Sequence, residues 1–187
     1  MNDIGTFNKK KQQLIFIISI SIVLFIVNNI ILGSVIPRLP GGSATGITTM
    51  FSVTFVSLVI KRIWCIPMVY FIYGSIGLIS HLMVGDWLYL YAILAIILIS
   101  AIYNWMIHRY DYNIVTYIVI FPVFMILLQY LYIAILHLAK NQDLAMNIDL
   151  YSIFLSLLYG YGGIILAYIS YFNLNKCSLI SRLSKDS

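Results

Sequence analysis

Charge is scarce in this chain: only 9% of its 187 residues are Asp, Glu, Lys or Arg, while 62% are hydrophobic. A soluble domain carries roughly a quarter charged residues, so the deficit excludes an ordinary water-soluble fold and places the chain in a bilayer. No acidic residue falls inside an apolar run, because Asp86, Asp111, Asp143 and Asp149 all lie at ends or in connections. The buried carboxylates of a proton-coupled carrier are therefore missing. The chain also lacks GxxxxGK[ST], HExxH, GxSxG, CxxC and CxxCH, which removes the motif routes to a nucleotide hydrolase, a zinc protease, a serine hydrolase and a thiol redox or haem-attachment site. Its two cysteines, Cys65 and Cys177, are too few and too far apart for a metal cluster, and free thiols are the expectation. Of the three histidines, His81, His108 and His137, none has the i, i+4 partner of a helix-borne metal site. His81 with His137 is the only pair at similar depth, which leaves a haem-bearing bundle as an alternative. Otherwise no metal, cofactor or catalytic role is expected.

What is present is a series of apolar runs, each close to the roughly 20 residues that a membrane-crossing helix needs. They predict an all-α membrane protein, a six-transmembrane-helix bundle forming one membrane domain over residues 1–187. The expected spans are about 14–32, 43–60, 63–84, 87–107, 113–139 and 150–172. Span two is short and rich in Thr and Ser, a composition suited to burial among other helices. Gly163 and Ala167 in span six form a small-xxx-small pair suited to close helix contact, Gly74 and Gly77 on one side of span three could supply another contact, and Pro122 predicts a kink in span five. The basic run Lys9, Lys10 and Lys11 precedes span one with no small-residue cleavage site after it, so the span is expected to be retained.

The net charge of +5 comes from basic residues in short connections, where they set topology and give no nucleic-acid surface. If six spans alternate, nine of the 11 Lys and Arg fall on one side, and only Arg38 and Lys140 on the other. The positive-inside rule then puts both termini in the cytoplasm of a multi-pass cell-membrane protein.

The outer side would carry the one shaped connection, IPRLPGGSATG over residues 36–46, in which two prolines and a Gly-Gly pair specify a turn. Around it the alternation gathers Asn28, Arg38, Thr45, His81, Trp87, Gln129 and Tyr159, the candidate substrate-binding residues. Trp87 and Tyr159 can stack a planar ring, and Arg38 can pair with a carboxylate or phosphate. Polar groups at this depth must be paired, so Asn28 and Gln129 face either another helix or a wet cavity, as interhelical hydrogen bonds or as ligand contacts. Tyrosines near the interface also belong to the ordinary aromatic belt.

This layout, with about 190 residues, six helices, cytoplasmic termini and a shaped loop between spans one and two, resembles the substrate-binding S-component of an energy-coupling-factor vitamin transporter. The resemblance is one of architecture, since Ser19 and Ser21 do not match the Ala-xxx-Ala docking spacing found on span one of such proteins. It implies a small-molecule ligand, a vitamin or precursor, captured from the outer side beneath the first loop. It also implies a transmembrane coupling subunit and ATPases supplied in trans as partners, besides the lipid bilayer. Two other readings stay open: a structural or accessory subunit of a respiratory or secretion complex, and a lipid-directed enzyme using His81 and Asp86.

Overall fold

Wherever an apolar run of the sequence is described, it is helical. The computed structural model describes residues 2–32, 43–83, 88–138 and 150–175, together with 180 and 183. Six helices make up this part of the chain: α1 (Asn2–Phe25, continuing as a π-helical segment, Ile26–Leu32), α2 (Ser43–Ile60), α3 (Cys65–Met83), α4 (Leu88–Arg109), α5 (Ile114–Leu138) and α6 (Leu150–Leu174). The first begins at Asn2 and not at the apolar run, so Lys9, Lys10 and Lys11 sit on helical turns.

Five helices close a ring, because α2 packs on α3, α3 on α4, α4 on α5, α5 on α6, and α6 back on α2. The last of these seams is the most extensive, and it depends on one residue. A Cβ at Gly163 would overlap the Ile47 carbonyl oxygen and lie 2.9 Å from the Phe51 nitrogen, so only glycine lets the α6 backbone touch the α2 backbone. Ala167, one turn on, is fully buried. At the α3–α4 seam Gly74 and Gly77 make room instead for side chains, those of Ile93 and Tyr89. Helix α1 lies outside the ring on α2 and α3. Its tandem asparagines divide between them: Asn28 bonds to α2, and Asn29 donates to Tyr73 Oη of α3 at 3.4 Å. The short, hydroxyl-rich α2 is thus enclosed by neighbours, and residues 53–60 are all buried.

Helix α5 runs unbroken through Pro122. Proline lacks the amide that would bond the carbonyl four residues back, that of Ile118. Tyr161 Oη on α6 donates to that carbonyl at 3.3 Å, so the neighbouring helix replaces the missing donor.

The distribution of polarity is inverted relative to a soluble protein. Phe172, Ile79 and Leu98 are 77%, 66% and 65% exposed, whereas Thr54, Ser57, Ser100 and Asn104 are wholly buried. An apolar rim around a hydroxyl- and amide-bearing interior suits hydrocarbon surroundings. Among the described residues three helices, Lys9–Asn29, Tyr89–Arg109 and Ile153–Leu174, are long and apolar enough to cross a membrane. The helical stretches Gly46–Ile60, Cys65–Ile79 and Ile114–Leu128 are apolar but shorter.

Candidate functional site

The two ends of the ring differ in chemistry. One end holds the 61–64 and 110–113 connections and every described Lys and Arg: Lys9, Lys10, Lys11, Lys61, Arg62 and Arg109. At this basic end several side chains are matched to backbone. Asn104 Nδ2 donates to the Arg62 carbonyl at 2.8 Å, beside the buried free thiol of Cys65, which lies 3.8 Å from the same nitrogen. Tyr168 Oη donates to the Tyr112 carbonyl, and Tyr112 Oη meets His108 Nδ1 at 3.1 Å. Burial, above all, raises the Tyr112 phenol above its ordinary range, so it stays neutral here. Asn113 caps α5 by accepting from the Val115 amide at 3.1 Å.

Toward the other end the five ring helices part around a cavity of ≈ 270 Å³. Its wall takes Gly46, Thr49 and Met50 from α2, Tyr70 from α3, Ile96 from α4, Phe121, Phe124, Met125 and Leu128 from α5, and Ser156 from α6. The wall is mostly apolar and aromatic, with hydroxyls on three sides, the usual make-up of a small-molecule site. Two devices shape it. A Cβ at Gly160 would overlap the Phe121 ring, so glycine at 160 is what lets that ring lie against α6, where it also meets Tyr161 edge-on at 5.3 Å. Behind Thr49, Asn28 is nearly buried and uses both ends of its amide, accepting from Thr48 Oγ1 and donating to Thr49 Oγ1 at 3.1 Å. A π-helical segment carrying a polar pair often marks a functional place in a helix. Here it fastens the cavity wall.

Deeper along the same faces the ring is filled. Thr54 follows Met50 by one turn, Tyr117 precedes Phe121 by one turn, and Tyr103 follows Ile96 by two. Tyr103 stacks on Phe124 with centroids 4.4 Å apart and meets Tyr117 edge-on at 6.5 Å, while the Tyr117 and Ser57 hydroxyls bond each other. Thr54 Oγ1 and Tyr103 Oη are buried without a hydrogen-bond partner, positions suited to ordered water.

Of the residues singled out in the sequence, Asn28 stands behind the cavity wall and bonds between helices. Tyr159 is half-buried on α6, its Cβ 3.7 Å from where a Gly46 Cβ would be. Thr45, His81 and Gln129 are placed as helix positions only: Thr45 in the first turn of α2 beside Gly46, Gln129 next to Leu128, and His81 near the end of α3. Arg38, Trp87, Asp86, Cys177 and most of the 36–46 loop lie outside the described residues. Thr49, Met50, Tyr70, Phe121 and Ser156, which line the cavity, were not among the candidates. The repeat of hydroxyls along span two, at 45, 48, 49 and 52, was the signal for Thr49. No group of three or more metal-ligating side chains occurs among the described residues. No family model, curated protein or solved structure matches the chain.

Proposed function

We propose that all six helices cross the membrane with the basic end in the cytoplasm, and that the protein is the substrate-binding subunit of an energy-coupling-factor type transporter, capturing a small vitamin or precursor from the outer side. The cavity of ≈ 270 Å³ carries this reading, because five helices contribute to it and it lies away from the basic end. The positive-inside rule supports the orientation. The chain has no phosphate loop, so a coupling subunit and ATPases in trans would provide the energy. In this reading Asn28 braces the wall of the site through Thr49, and Arg38, Thr45, His81, Trp87, Gln129 and Tyr159 remain the candidates for further ligand contacts.

The test is to purify the protein in mild detergent, denature it and identify released small molecules by mass spectrometry, then to titrate the emptied protein with vitamins while following tryptophan fluorescence. A retained or saturably bound compound that Met50→Trp displaces supports the reading. Absence of any ligand, together with stable co-purification in a redox complex lacking an ATPase, would replace it with an accessory-subunit role. Orientation is checked with Lys10→Cys in a Cys177→Ser background, where a membrane-impermeant maleimide should react only after permeabilisation. Labelling of intact cells would reverse the topology.

A further inference from the structure

The chemistry of the cavity wall narrows what can occupy it. A cavity of about 150 Å³ lined by aliphatic and aromatic side chains accommodates one benzene ring, so ≈ 270 Å³ has room for about ten to twelve heavy atoms. No Lys, Arg, His, Asp or Glu is among the residues lining it, and every described basic side chain is at the opposite end of the ring. An ion placed here would lose its hydration without gaining a partner, at a cost far above that of a neutral polar group. The Phe121 and Phe124 rings and the Met50 and Met125 side chains give instead a polarisable, apolar surface. Thr49 adds direction. A hydroxyl has one proton to donate and two lone pairs, and Asn28 Nδ2 occupies one of the lone pairs, so the hydroxyl proton of Thr49 is its means of reaching an acceptor.

We infer that the cavity takes an uncharged, compact ring compound of one or two rings, whose apolar faces lie on the α5 aromatics and which presents a hydrogen-bond acceptor to Thr49. This inference rests on the binding-subunit reading and specifies its substrate class. It excludes carboxylates and phosphates from the cavity itself, although Arg38 in the first loop invites an anion on sequence grounds alone.

Three bicyclic probes within that size test it by isothermal titration and thermal shift on the detergent-solubilised full chain: quinoline, naphthalene and indole-2-carboxylate. Quinoline should bind about three- to tenfold more tightly than naphthalene, the worth of one net hydrogen bond. The carboxylate should bind at least about a hundredfold more weakly than quinoline. Thr49→Val should erase the preference for quinoline while naphthalene still binds, a readout that general unfolding would not give. Met50→Trp should abolish binding of all three. Carboxylate binding equal to or tighter than that of quinoline, and lost on Arg38→Gln, would overturn the neutral-ligand inference and leave the binding subunit standing. If all three probes bind alike and Met50→Trp leaves them unaffected, the cavity is not the site, and the function proposed for it falls as well.

Discussion

The basic end of the ring and its opposite half are built from the same five helices, yet they treat polar groups in opposite ways. At the basic end, side chains close on the backbone: Asn104 on the Arg62 carbonyl and Tyr168 on the Tyr112 carbonyl, each joining two elements. In the cavity half, Asn28 bonds from outside the ring to the Thr48–Thr49 pair, side chain to side chain, and Thr49 lines the open space within. A helix bundle among lipids has little water for its core, so its polar groups are matched, set where ordered water can reach them or left beside open space. Matching gives rigidity, and the open space is what the proposed ligand would fill.

The contrast can be broken most severely at the α2–α6 seam, on which both halves depend. Gly163→Leu should cost more than about 3 kcal/mol, since backbone atoms of α2 cannot withdraw from the new side chain. The expected result is loss of a monodisperse, folded species in detergent. Gly162→Ala is the control, because nothing lies within 4 Å of a Cβ there, and it should be neutral or stabilising by about 0.5 kcal/mol. Next in size, Asn104→Ala should cost about 1.5 kcal/mol, because a buried side-chain bond is lost while the Arg62 carbonyl keeps the Cys65 amide, and it should lower the thermal midpoint without changing ligand affinity. Asn28→Ala should do the reverse, costing about 1 kcal/mol or less, because threonine hydroxyls can turn to their own helix backbone, yet weakening ligand binding. If both variants shift affinity equally, the division of labour between the two ends is wrong.

A finer prediction concerns the α5–α6 seam. Tyr161→Phe should cost about 1 kcal/mol in the native chain and almost nothing when Pro122→Ala has restored the amide donor to the Ile118 carbonyl. Additive losses in the double variant would show that Tyr161 does not replace the proline's missing bond. Smallest of all, Asp111 has φ 57°, a left-handed conformation that glycine adopts without strain. Asp111→Gly should raise the unfolding midpoint by about 0.5 kcal/mol equivalent, an effect confined to the basic end.

Much of this could be read from the residues. Long apolar runs specify their own helices, because only intra-segment hydrogen bonds are available in hydrocarbon. The Gly163 and Ala167 spacing pointed to a close contact, and the hydroxyls of span two to an interior helix. The tandem Asn28–Asn29 was conspicuous for its depth, but its division between α2 and α3 was not visible, since it depends on α1 sitting over their seam. The cavity was hidden for a related reason. Which helices are neighbours around a ring is a property of closure, and nothing local in α2 says that α6, over a hundred residues later, returns beside it. Phe121 and Tyr70 look like any core aromatics until the helices that face them are known. Pro122 forecast a disturbance in α5, whereas its replacement donor sat on another helix in a tyrosine common to the whole sequence.

The glycine at 163 also bears on how the cavity can be entered. With backbone lying directly against backbone, the α2–α6 joint has no layer of side chains whose rotamers can yield, so these two parallel helices travel as a single stiff strut. Any breathing of the ring must then be concentrated at joints lined by side chains, such as α4 against α5, where aliphatic and aromatic groups can slip past one another. A closed loop of five members with one welded joint opens asymmetrically, like a clasp. The exchange rate of a ligand would accordingly follow the softness of α5's packing, and would be nearly indifferent to changes on the far side of α2.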